Sequence, residues 1–173
     1  MITRGRRAAS VDALQTVLRA EHAAVYGYGV VGARLRGSLR ESARTLWNAH
    51  RTRRDELAAR ITGLGAEPAA AAPAYRLPVQ VASARGAAQV AAALEDDLVV
   101  SYTGLAGSAD AALRTFAAQA MQEAMARAVR WHSLSGRPVK EPSAGPSVPG
   151  PPRTSAFPGL SAGALVPRPR PGD

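Results

Sequence analysis

The chain contains no cysteine, which excludes both disulfides and thiolate metal ligands. No apolar run is long enough to span a bilayer, and the arginines near the N-terminus are not followed by the uninterrupted apolar stretch of an export signal. The expectation is therefore a cytoplasmic protein with no membrane partner. Serine–histidine–acid constellations, glycine-rich phosphate loops and hydrolase motifs are also absent. Lys140 is the only lysine, a bias that matches the alanine-rich composition and is given no functional meaning. Proline is missing from residues 1–67 and again from 79–137. Because proline removes a backbone donor and breaks helices, these two blocks read as helical.

The prolines that do occur divide the chain. Three of them, Pro68, Pro73 and Pro78, mark one long connection, and ten fall from Pro138 onward among glycines and serines. This predicts a basic flexible segment over 1–9, a four-helix bundle over 10–136 and a disordered Pro/Gly-rich tail over 137–173. Within the tail, the stretch from Pro167 to Pro171 is the part most like a polyproline ligand. The net charge is +9, and basicity is densest at the two ends. With no arginine stripe interleaved with aromatics apparent, no specific nucleic-acid role is expected.

Helix by helix, Ser10 is the expected first N-cap. Leu14, Leu18, Glu21, Val25, Tyr28, Gly32 and Leu35 then step by four and three, the seam of a bundle helix. Ser38 and Glu41 have capping-box spacing for a second helix, whose inner face runs Leu39, Ala43, Leu46, His50, Arg53 or Arg54, Leu57 and Ile61. Gly63 and Gly65 end it. The connection over 66–83 is too long for a tight hairpin and long enough to cross the whole bundle. A third helix is expected over about Gly86 to Leu105, and a fourth, capped by Ser108, runs to Gly136.

Glu21 and Tyr28 stand seven residues apart, two turns along one face, and Glu95 and Tyr102 repeat that spacing. Nearly the same offset carries His50 to Glu123 and Arg54 to Arg127. Several matches near one offset indicate an internal duplication of a helical hairpin.

Four helices in two hairpins joined by a long crossover, with an inward carboxylate on the first helix of each, resemble the ferritin-like superfamily. More narrowly the chain is similar to DUF4439, a ferritin-like domain family of unknown function. Residues 18–35, 49–68, 93–105 and 120–131 carry that resemblance. It implies an all-α ferritin-like bundle and directs attention to a di-metal centre. Such centres take one glutamate from each of two helices and a Glu-x-x-His pair from each of the other two. Glu21, His50, Glu95 and Glu123 occupy the matching places and form the alternative metal set, for iron or manganese. Where the two histidines should stand, the chain has Arg53 and Ala126.

The leading expectation is therefore a buried ionic core of Glu21, Tyr28, His50, Arg54, Glu95, Tyr102, Glu123 and Arg127. In it, Arg54 and Arg127 neutralise Glu21 and Glu95, with no metal, no cofactor and no catalytic residue. The function that follows is a non-enzymatic interaction or scaffold bundle. The alternative is a metal-binding oxidoreductase or storage protein with a reduced ligand set. Self-association as a dimer is expected through Trp47 and Trp131, alongside an unknown protein partner. His22 is assigned to the surface or a helix interface, and His132 to the last helical turn. Tyr26 cannot share a face with Tyr28.

Overall fold

The two proline-free blocks fold as two helical hairpins. The structure is a computed structural model and describes residues 2–136. Its helices are α1 (Ile2–Arg34), α2 (Gly37–Gly63), α3 (Ala84–Ala106) and α4 (Ala111–Ser135). The expected tail over 137–173 lies outside the described residues. Helix α1 packs against α2 and α3, and α3 packs against α4. On the fourth side, α2 and α4 reach each other through long side chains such as Arg53 and Glu123.

Several helix ends differ from expectation. Helix α1 begins at Ile2 and not at Ser10, so residues 2–9 are helical where a flexible segment was expected. The Arg7 guanidinium donates to the Leu64 carbonyl at the end of α2, which holds this extension. Ser10 lies within the helix, and its hydroxyl shares a hydrogen bond with that of Ser108 at 3.2 Å. Helix α2 is preceded by Arg36, which makes no side-chain cap, so the Ser38–Glu41 box does not form. Gly37, with φ at +55°, makes the turn between α1 and α2, and its left-handed backbone suits glycine. Asp110, two residues past the predicted Ser108, caps α4 by accepting from the Ala112 and Leu113 amides.

The crossover lies along α1. Gln15 holds it from both sides, donating to the Glu67 carbonyl at 2.7 Å and accepting from the Ala69 amide at 2.8 Å. His22 Nε2 lies 3.0 Å from the Ala69 carbonyl oxygen, so the predicted helix-interface role falls on the crossover. Tyr26 is exposed, its ring tilted against that of Tyr75 with centroids 5.5 Å apart, whereas Tyr28 is buried.

Two apolar clusters fill the bundle. One gathers Leu14, Leu18, Leu57, Ile61, Leu98, Leu105 and Phe116, and the other Tyr28, Val31, Leu35, Val90, Leu94 and Trp131. Each side chain so buried contributes about 1.5–3 kcal/mol. A Cβ at Gly27 would run into the end of the Leu94 side chain, so any larger residue there would make Leu94 shift. Glu21, His50 and Glu95 are as buried as the leucines. A buried charge costs stability unless it is paired, so the partners of these three decide what the centre of the bundle is.

Candidate functional site

The hydroxyls on α1 and α3 are exchanged. Tyr28 donates to Glu95 Oε1 at 2.6 Å, and Tyr102 donates to Glu21 Oε1 at 2.7 Å. On α1 the glutamate precedes the tyrosine, and on α3 it does so too, so crossed pairing requires the helices to run antiparallel. With two antiparallel hairpins, α2 then runs parallel to α3, and the connection must cross the bundle from end to end.

His50, from α2, lies between the two carboxylates. Its Nδ1 is 2.8 Å from Glu21 Oε2 and its Nε2 is 3.2 Å from Glu95 Oε1. An ionised carboxylate only accepts, so both bonds form together only when both ring nitrogens carry a proton. The site therefore holds an imidazolium. Burial alone would push the His50 pKa down; the hydrogen bonds to Glu21 and Glu95 and their charges outweigh it and hold the pKa up at about 9.

Arg127, from α4, completes the cluster, with Nε donating to Glu95 Oε2 at 2.9 Å. Burial would raise the Glu95 pKa, but His50, Arg127 and the Tyr28 hydroxyl together hold it below the usual carboxylate range. Burial first, then the adjacent carboxylates, push both phenol pKa values up, so Tyr28 and Tyr102 stay protonated donors. Two carboxylates against one imidazolium and one guanidinium give zero net charge. A polar cavity of about 20 Å³ adjoins the cluster, bounded by His50, Arg53, Tyr102 and Glu123 among others. It has the volume of about one water molecule.

Six of the eight predicted core residues thus meet in one buried cluster. Arg54 does not. Its guanidinium pairs at 2.8 Å with Asp55, the next residue, so the expected neutralisation of Glu21 by Arg54 is corrected: His50 supplies the positive charge there. Glu123 is half-exposed at the rim, where Arg53 Nη2 at 3.2 Å and Arg127 Nη1 at 3.5 Å reach it. Arg53 is the residue that the sequence reading left unresolved. It and Arg54 flank the inward direction of His50, and helical spacing alone does not choose between them. Arg53 also lies over the Phe116 ring, 4.9 Å from its centroid, an aromatic partner on α4 that favours its side of the helix.

A di-iron or di-manganese centre does not fit this donor set. An imidazolium offers no lone pair, and metal ligation requires neutral imidazole and free carboxylate oxygens. Each oxygen of Glu21 and Glu95 already accepts from a phenol, an imidazolium or a guanidinium. Glu123 is held by two arginines, whose fixed charge repels a cation. Among the described residues, no group of three or more His, Cys, Asp or Glu side chains is arranged to hold a metal ion.

Of the core or dimer packing expected of the two tryptophans, Trp131 takes the core role. Trp131 is buried inside the bundle with its ring 6.3 Å from that of Tyr28, so it cannot face a second copy. Trp47 is half-buried beneath the Arg51 guanidinium, 4.5 Å from its ring centroid. His132 pairs with Asp96 at 2.8 Å on the outer side of the second hairpin.

Comparison with known families matches residues 13–162 to DUF4439, a domain of unknown function. The chain belongs to the DUF4439 family. No curated protein matches it. The crystal structure of a conserved hypothetical protein from Mycobacterium tuberculosis is similar to it, with 33% identity and a TM-score of 0.70. That likeness covers 73% of this chain and 97% of the mycobacterial one. For this DUF4439 member, no described helix is long and apolar enough to cross a membrane.

Proposed function

We propose that this DUF4439 protein is a non-enzymatic interaction or scaffold bundle, in which an imidazolium–guanidinium–carboxylate core stands where ferritin-like enzymes hold two metals. The observation that carries this reading is His50, with both ring nitrogens on carboxylates of two different helices. A protonated histidine in that place ties α1, α2 and α3 together and leaves no ligand atom for a cation. The adjoining cavity of about 20 Å³ is also too small to admit an organic substrate.

The test is metal content by mass spectrometry of untagged protein, before and after anaerobic ferrous loading, with Glu21→Ala alongside. Metal-free protein unchanged by loading, together with a mutant that melts lower, is the expected result. Near-stoichiometric iron or manganese that disappears in the mutant would overturn it. That result would restore the metal-binding reading, with Glu21, His50, Glu95 and Glu123 as ligands.

A scaffold needs a partner, and a second copy is the first one proposed. With Trp131 turned inward, exposed Val100, Met125, Val129 and Leu134 on the second hairpin are apolar side chains available for that contact. A monomeric mass by light scattering at micromolar concentration would exclude the homodimer.

A further inference from the structure

The even spread of charge along the bundle hides a cluster. Between residues 22 and 54 the chain has seven arginines and a single acid, Glu41. Most of these arginines lie on the outward side of α2. At 100° per residue, Arg40, Arg44, Trp47 and Arg51 fall within about 60° of one another, and they form a ridge about 16 Å long. Arg36 extends the row just before the helix. Arg36, Arg40, Arg44 and Arg51 are all exposed. None has a carboxylate partner among the described residues, in contrast to Arg53, Arg54 and Arg127.

A groove of about 540 Å³ runs beside this ridge, between α2 and the glycine-bearing part of α1. Arg40, Arg44 and Trp47 form one wall, and Gly29, Gly32 and Ala33 form the other, where the absence of bulky side chains keeps the groove open. Glu41 is the one acidic group on its lining. Trp47 has Arg51 over its ring, and the tryptophan also lines the groove. Guanidiniums in a row with no carboxylate partner among the described residues call for a polyanion, since they are positioned for phosphates. The tryptophan set among them narrows the choice. A positively charged groove with an aromatic platform is the arrangement that holds single-stranded nucleic acid, with phosphates on the arginines and a base on the ring.

We propose that the α1–α2 face of this protein binds single-stranded nucleic acid without sequence preference, through Arg36, Arg40, Arg44 and Arg51 and by stacking on Trp47. This goes beyond the scaffold reading and does not depend on it, because the ridge lies outside the ionic core. It also revises the expectation drawn from the sequence, in which basicity was concentrated at the chain ends and no arginine–aromatic stripe was evident.

The full chain would be titrated against a fluorescein-labelled, mixed-sequence single strand of about 20 nucleotides, read by anisotropy. Four phosphate contacts predict a log–log salt slope of about −3, so raising salt from about 50 to about 200 mM weakens binding about 50-fold. The double variant R40E/R44E changes two exposed side chains, and unaltered circular dichroism checks that it folds. It is expected to bind at least about tenfold more weakly and to show a slope of about half the original. Trp47→Ala is expected to weaken binding about fivefold or more, with less effect on the slope. Arg168→Ala with Arg170→Ala tests the basic tail and is expected to leave most of the affinity. The proposal is overturned by failure to bind at low salt, by full affinity in R40E/R44E, or by loss confined to the tail variant. Binding to anionic lipid vesicles but not to the strand would overturn it as well.

Discussion

The two hairpins begin alike and end differently. Glu21 and Tyr28 on α1 are answered by Glu95 and Tyr102 on α3, and the four side chains exchange hydroxyl bonds across the antiparallel pair. On the second helix of each hairpin the correspondence breaks. His50 turns into the core and touches both glutamates, while its counterpart Glu123 sits half-exposed at the rim. Arg127 reaches Glu95, while its counterpart Arg54 turns outward to Asp55. A symmetric arrangement would place two guanidiniums on two carboxylates. The observed one obtains the same neutrality from one guanidinium and one imidazolium. The balance therefore rests on a group that can lose its charge within an ordinary pH range.

The largest effect should come from removing the carboxylate on which three donors meet. Glu95→Ala leaves His50 and Arg127 positive, with Tyr28 unpartnered, and is expected to cost about 3–5 kcal/mol in urea unfolding. Glu21→Ala strips two bonds and leaves His50 a carboxylate on its other side, so a smaller loss of about 1.5–3 kcal/mol is expected. Equal losses at the two positions would mean that the cluster is symmetric after all.

The histidine sharpens the comparison through pH. Its folded pKa, about 9, lies above the ordinary value of 6.5, so its contribution to stability is complete below about pH 6.5 and is lost as pH rises through 9. Glu95 acts in the opposite sense. Its folded pKa is lowered, so its contribution is present above the ordinary carboxylate range and fades as pH falls through the folded value. Stability should therefore be greatest between about pH 5 and pH 6.5 and should decline toward pH 9, by up to about 3 kcal/mol. In His50→Gln the decline above pH 6.5 should vanish. A wild-type curve that stays flat from pH 6 to pH 9 would show that His50 is neutral, and the imidazolium core would have to be abandoned.

The sequence carried the fold well and the core in part, for reasons visible in single residues. Proline spacing located the hairpins and the crossover, because a missing donor acts locally and needs no tertiary context. The seven-residue spacing placed Glu21, Tyr28, Glu95 and Tyr102 on inward faces, because helical periodicity fixes direction. Caps were less legible. Ser10, Ser38 and Ser108 all carry suitable side chains, yet α1 extends through Ser10 because Arg7 is anchored on Leu64, a contact 57 positions away. Arginine was least legible of all. Its long side chain can leave the direction of its Cβ, so Arg53 and Arg127 found partners set by what the opposite helix presents, while Arg54 turned to its neighbour Asp55. The basic ridge on α2 is hidden along the chain for another reason: a helical face collects every third or fourth residue, so its arginines are spread through the sequence.

The smallest effect tests the broken half of the correspondence. Arg127→Ala removes the guanidinium from a buried carboxylate and should cost about 1.5–3 kcal/mol, the range for a hydrogen bond to a charged group. Arg54→Ala removes only a surface pair with an exposed neighbour, which is worth at most about 1 kcal/mol and commonly nothing measurable. The two arginines are near-equivalent in the duplicated pattern, so paired urea titrations read the asymmetry directly. Comparable losses at both positions would mean that Arg54 spends part of its time on Glu21. The imidazolium would then share its role with a second guanidinium, and the pH decline assigned to His50 should shrink accordingly.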